Sequence, residues 1–340
     1  MPASPVVAHE DLIVIDQCMP LWFDGAARPP MFFDRLKAGG YTAFACTIGG
    51  ARNASATFRE IGGWLEYIRQ NDDLILVRKA ADIERAKREK KLGVIFDFQG
   101  TEPLEDSLDL VDAFKATGVG VIQLAYNARN RFASGSEEEV DTGLSRLGKR
   151  LVKRLNDARV IVDCAHTGKR STLDAIEHSE RTVIISHANC KAVLDISRNI
   201  TDEEIKAIAG NGGVVGALSY PPFVAKPQQP TIDDYINHID HIANLVGIDH
   251  VGIALDYFYY QSPWVSEEVQ VALWTQMVQK GAWDPEQYTR PPYVYPLGME
   301  TPDKIGNITV RLGERGYRAD DIRKIMGGNW MRIYREVWGE

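Results

Sequence analysis

The sequence predicts an α/β protein folded as a single (β/α)8 TIM barrel. Three observations lead there. Eight short β-rich runs recur between residues 12 and 255, with helical stretches between them. Most of the runs are apolar on both faces, the pattern of parallel strands covered on each side. No glycine-rich phosphate loop follows the first run, and the competing arrangement, a doubly wound open sheet, would place one there.

The runs are "LIVID" (12–16), "TAFACT" (42–47), "LGVIFDF" (92–98), "GVIQLAY" (120–126), "VIVDCA" (160–165), "TVIIS" (182–186), "GVVGAL" (213–218) and "HVGIAL" (250–255). Between them, "EDSLDLVDAFKATG" and "GLSRLGKRLVKRLNDA" read as amphipathic helices. The second sets Leu144, Leu147, Leu151 and Leu155 at helical spacing against a Lys/Arg face. "TDEEIKAIAGNGG" has a threonine cap, acids in its first turn and glycines at its end. Residues 298–340 read as a closing helical segment, so that residues 1–340 form one barrel domain.

Composition narrows the function. A net charge of -8 with no basic block argues against a nucleic-acid partner. No apolar run approaches the length of a membrane span, and the first residues lack the basic and apolar segments of a signal peptide. Cys18, Cys46, Cys164 and Cys190 match neither a zinc ribbon nor a disulfide framework. Reduced thiols in a cytoplasmic protein are the simplest reading.

A barrel does its chemistry at the C-terminal ends of its strands. There the sequence places Asp16, Gln17 and Cys18, then Asp97 and Gln99, Tyr126 and Asn127, Asp163 and His166, Ser186 and His187, Ser219 and Tyr220, and finally Asp256 and Tyr257. His166 and His187 close adjacent strands at matching depth. Neighbouring strands lie about 4.8 Å apart, so the two imidazoles can meet one ion; a pair of hydrogen-bonded barrel-mouth residues is the alternative. Asp256 faces the same mouth, as a metal ligand, a general base or a helix cap. Arg198 reads by position as a surface ion pair, with a bidentate hold on a substrate carboxylate as the alternative. His238 and His241 lie on one predicted helix, where a solvated face is expected; His9, His178 and His250 carry no such context. The segment 257–297 is rich in Tyr and Trp and reads as a lid, a binding wall or a dimer surface.

These residues carry a resemblance. "VIVDCAHTGKRSTLDAI", "VIISHANCKAVLDISRNITDEEIKAIAGNGGVVGAL", "HVGIALDYFY" and the tail "YPLGMETPDKIGNITVRL" with "GGNWMRIY" are similar to the membrane (renal) dipeptidase family of binuclear zinc peptidases, metallo-dependent hydrolase barrels that are usually homodimers. The resemblance implies that His166 and His187 ligate one metal. It makes Arg198 the holder of the substrate carboxylate and Asp256 the proton shuttle. The family's first-strand His-x-Asp falls on Cys18 and Pro20, its bridging Glu on Gln99, and its strand-four His on Tyr126. The expectation is therefore one zinc ion rather than two, held by His166, His187 and a third group. Cys18 is expected in that place, with Asp97 and Asp256 as further candidates.

The function that follows is hydrolysis of a dipeptide or related small carboxylated amide by metal-activated water. Asp256 and Tyr126 are the expected catalytic residues, with Arg198, Asn127 and Tyr257 as substrate contacts. A small-molecule substrate and a homodimer go with it. The alternatives are a single-metal or metal-free lyase or isomerase acting on a small acid, and a non-catalytic relative that binds a ligand.

Overall fold

The computed structural model describes residues 6–21, 30–49, 52–226, 229–258 and 265–340. Among them lie nine strands: β1 Ile15–Met19, β2 Ala43–Thr47, β3 Leu74–Leu76, β4 Leu92–Phe98, β5 Val119–Gln123, β6 Ile161–Asp163, β7 Val183–Ile184, β8 Val215–Leu218 and β9 Val251–Ala254. Every pairing between them is parallel, in the order β1-β2-β4-β5-β6-β7 and, separately, β8-β9. A bridge between Ile185 and Val215 joins β7 to β8. The circle closes where Asp256 N–H donates to Cys18 O (2.9 Å) and Leu255 N–H to Asp16 Oδ1 (2.8 Å). The result is the expected eight-stranded α/β barrel.

The eight expected runs all contain strands, and β3 is an addition. Its three residues pair with Leu92, Gly93 and Val94 of β4, below the point where β5 takes over that edge at Phe96.

Alternate residues of the strands face two apolar layers. Ile15, Ala43, Ala45, Ile95, Val121, Ile161 and Ile184 meet Trp330, Ile333, Tyr334 and Val337 of the C-terminal helix Asn329–Trp338. That helix packs tightly against the strands. Trp330 Nε1 donates to Ile253 O (3.1 Å), a Cβ on Gly252 would sit 2.5 Å from the same indole, and Tyr334 donates to Gln17 Oε1. The other layer, with Val14, Phe44, Val94, Phe96 and Ile122, packs outward on the surrounding helices. Thr201 and Thr231 cap theirs through reciprocal bonds with Glu204 and Asp234. Arg146–Asp157 buries Leu151 and Leu155 as its spacing requires.

The helix Ile232–Val246 corrects one expectation. His238 does not face solvent: it is buried, with Nδ1 accepting from Cys190 N–H (3.1 Å) and Nε2 donating to Val224 O (2.9 Å). His241 is half-buried and pairs with Asp202. No described helix is long and apolar enough to cross a membrane.

Candidate active site

The chain turns sharply where β6 ends. Asp163 Oδ1 accepts from Ala165 N–H (2.9 Å) and Ser186 N–H (2.8 Å), and His166 takes a left-handed backbone, φ 56°. Asn127 and Asp256 adopt the same conformation, φ 56° and 55°. Such backbones are uncommon outside glycine and gather at functional sites.

His166 and His187 meet as the sequence implies, with Nε2 atoms 2.9 Å apart. Their other nitrogens decide the tautomers. His166 Nδ1 lies 2.6 Å from Asn127 Oδ1. The amide of Asn127 is oriented by donation from Nδ2 to Ala282 O and to the Tyr288 hydroxyl, both at 3.0 Å, so Oδ1 accepts and His166 Nδ1 carries the proton. Ser186 Oγ donates to Asp163 Oδ2 (2.6 Å), so it accepts from His187 Nδ1 (2.8 Å). Burial, aided by Arg198, pushes both imidazoles well below their ordinary basicity. Two neutral rings thus point lone pairs at each other across 2.9 Å, an arrangement that a cation between or beside them relieves.

A third donor is close. Sγ of Cys18, a nitrogen of His187 and a carboxylate oxygen of Asp256 lie within 4.8 Å of one another. Cys18 donates to Asp256 Oδ1 (3.5 Å) and accepts from Gln99 Nε2 (3.1 Å). Imidazole nitrogen with a thiol is a donor set suited to a soft divalent ion. Cys18, His187 and Asp256 therefore fit a metal, and His166 stands outside that cluster, reaching it through His187. Asp97 stands apart: among the described residues its carboxylate accepts from Thr47 Oγ1 at 3.5 Å, and burial pushes it well above the usual range.

Arg198 corrects its reading by position. It is 1% exposed, donates Nη2 to His187 O (2.8 Å), and its Nε has no partner. Asp256 lines the mouth with it, its carboxyl pushed up to about 7 by burial against the pull of Arg198. Tyr126 stacks on His166, centroids 4.2 Å apart, and its hydroxyl accepts from Trp283 Nε1 (2.9 Å). Two expected substrate contacts lie elsewhere. Asn127 is committed to His166 and the segment beyond β9, and Tyr257 is a core residue whose hydroxyl donates to Met299 O (2.5 Å).

Of the readings open for 257–297, the structure supports the lid or binding wall, to which Tyr220 and Phe223 are added. Trp283 and Tyr288 stack at 4.7 Å, and with Tyr220, Phe223 and Tyr293 they form an aromatic cluster over the mouth. Beneath it remains a cavity of about 40 Å³ reaching Gln99, His166, Arg198 and Asp256. Tyr259, Tyr260 and Trp264 of that segment lie outside the described residues.

The model of the membrane dipeptidase family, peptidase family M19, matches residues 34–276. Dipeptidase tcpJ of Claviceps purpurea is 26% identical over 271 residues, 78% of this chain and 56% of that protein. The uncharacterized dipeptidase C965.12 of Schizosaccharomyces pombe is 31% identical over 275 residues, 78% and 58%. The chain thus spans little more than half the length of these two relatives. Among solved structures, an amidohydrolase from Pseudomonas aeruginosa is 34% identical with a TM-score of 0.85, covering 98% of both chains. A Rhodobacter sphaeroides metallopeptidase liganded with a phosphinate mimic of the dipeptide L-Ala-D-Ala is 17% identical, covers 96% of this chain and 99% of its own, and at a TM-score of 0.78 shares the fold. The match over residues 34–276, more than two thirds of the chain, carries the conclusion: this chain belongs to the membrane dipeptidase family.

Proposed function

We propose that the chain, acting as one barrel domain, hydrolyses a dipeptide or related small carboxylated amide with the help of one zinc ion. Family membership supports the reaction class. The single observation that carries the reading is the pair of neutral imidazoles facing across 2.9 Å beside a buried arginine with an unpartnered Nε. His166, His187 and Cys18 would hold the ion. Gln99 favours one ion over two, because its amide donates to Cys18 Sγ where a bridging carboxylate would be needed.

When bound, the ion supplies Lewis acidity toward a carbonyl and lowers the pKa of water. The chain's own groups supply the rest. Arg198 holds the substrate carboxylate. Asp256, poised near neutrality, takes the proton of the attacking water and returns it to the leaving amine. Tyr126 accepts from Trp283, which leaves its own proton free for the developing oxyanion. The aromatic roof excludes water. No disulfide joins the four cysteines, which supports a reducing, cytoplasmic setting, and the family resemblance supports a homodimer. A second reading, a single-ion lyase or isomerase of a small acid, is favoured by the same Gln99 contact.

The test is metal content and dipeptide hydrolysis of wild type and His166→Ala. About one zinc per chain, lost with activity in the variant, supports the reading. Bound zinc without amide cleavage moves the assignment to the second reading. No metal, with normal folding, leaves a ligand-binding relative.

A further inference from the structure

A second, larger pocket adjoins the mouth. Its volume is about 250 Å³, and His166 and Arg198 line both it and the small cavity under the roof. Three consecutive side chains of its wall, Ser197, Arg198 and Asn199, each carry a buried polar atom with no partner: Oγ, Nε and Oδ1. Asn199 Nδ2 donates both its protons, to Leu194 O (2.9 Å) and Phe223 O (3.2 Å), so its Oδ1 remains an acceptor. Arg198 Nε is a donor and the serine hydroxyl is either. Unpaired groups this deeply buried cost free energy unless something meets them.

The charges around the pocket are mostly engaged elsewhere. Lys169 pairs with Glu203 (2.5 Å) and Lys191 with Asp195 (3.6 Å). Asp141 accepts from the backbone of Arg170 and Ser171, and Glu204 caps Thr201. Glu139 is exposed at the rim. Glu138, Glu139, Asp141 and Glu204 on the wall oppose a second anion. With Arg198 taken by the substrate carboxylate, the pocket still offers the Ser197 hydroxyl and the Asn199 Oδ1 acceptor, which together complement a carboxamide or hydroxyl.

The size of the inner cavity sets the direction. At about 40 Å³ it holds little more than a water molecule. Among the described residues, a residue whose carboxylate sits on Arg198 finds the larger space for its side chain in the outer pocket. We propose that this pocket is the subsite for the carboxy-terminal side chain of the substrate and selects an uncharged hydrogen-bonding one, glutamine or asparagine foremost and serine next. The proposal rests on the hydrolase reading above.

The experiment uses the zinc-loaded full chain and dipeptides that share one amino-terminal residue and end in Gln, Asn, Ser, Leu, Glu or Lys. Expected is a kcat/KM for the Gln dipeptide about tenfold above those for Leu and Glu, the worth of one or two buried hydrogen bonds. In Ser197→Ala the ratio narrows several-fold. Ser197 is anchored through its backbone N–H to Gln287 (3.1 Å), so losing the hydroxyl leaves the loop held. The same dipeptides are compared for their upward shift of melting temperature. Hydrolysis without preference, or preference for Glu, Lys or Leu, overturns the subsite and leaves the hydrolase reading standing. No hydrolysis, with stabilisation selective for the Gln dipeptide, overturns the hydrolase reading and supports the pocket's selectivity. No hydrolysis and no selective stabilisation overturns both.

Discussion

His166 Nε2 and His187 Nε2 lie 2.9 Å apart, and each ring commits its Nδ1 proton elsewhere, to Asn127 Oδ1 and to Ser186 Oγ. On the proposed reading the two outer partners orient the imidazoles toward one metal ion. Asn127→Ala and Ser186→Ala should each weaken zinc binding by about 10- to 100-fold, read by competition with a chelator. Stripping the metal should lower the wild-type melting temperature and change the doubly substituted His166→Ala/His187→Ala chain little.

Cys18 tests the remodelled first strand. Burial and the acids around it push its thiol well above the ordinary range, so without a cation it stays protonated. Cys18→Ala should reduce zinc affinity at least about tenfold, the thiolate being a strong zinc ligand. Unchanged stoichiometry and affinity would make Cys18 an ordinary buried thiol.

Asp256→Asn should lower kcat by about 10²- to 10⁴-fold, the usual worth of a positioned proton-transfer group, with zinc content and melting temperature near wild type. Loss of zinc instead would make Asp256 a ligand.

Glu137 sets a pH dependence of stability. Burial pushes its carboxyl up from 4.5 to about 7, and it accepts from Asp284 N–H (3.1 Å) at the base of the aromatic roof. Between those values the folded chain keeps a proton that the unfolded chain releases. Stability from this group is therefore complete below about pH 4.5 and is lost as pH rises through 7. Glu137→Gln keeps the acceptor and removes the titration. Its melting temperature should exceed wild type at pH 8 and approach it near pH 4.5.

Gly252→Ala should destabilise by about 1–3 kcal/mol, the usual cost of overpacking a filled core, because its Cβ would meet the Trp330 indole at 2.5 Å. Chemical denaturation measures the loss. Trp330→Phe in the same chain should recover part of it by vacating that space.

Much of the barrel was legible because parallel strands buried on both faces must be apolar throughout, whatever surrounds them. β3 escaped because three residues are too few for periodicity to register. His166 and His187 were legible because adjacent strand ends are neighbours in any such barrel. Arg198 looked like a surface residue because its burial comes from the roof, whose aromatics lie 85 residues further on, at Trp283. Asn127 and Tyr257 sit at strand tips yet turn to His166 and to Met299, a choice made by local backbone and packing.

By itself, then, the sequence determined the order of strands, the closing helix and the pair of histidines, since each follows from hydrophobic alternation and chain order. Only the tertiary structure decided what faces the mouth. Between Asp16 and Met19 the pairing of β1 slips by a bulge, which breaks the two-residue alternation that would otherwise assign sides. Within that slip Asp16 accepts from Leu255, Gln17 from Tyr334, and Cys18 turns to Asp256 and Gln99. Which side each of these three faces depends on partners more than 80 residues away, and no local pattern carries that information.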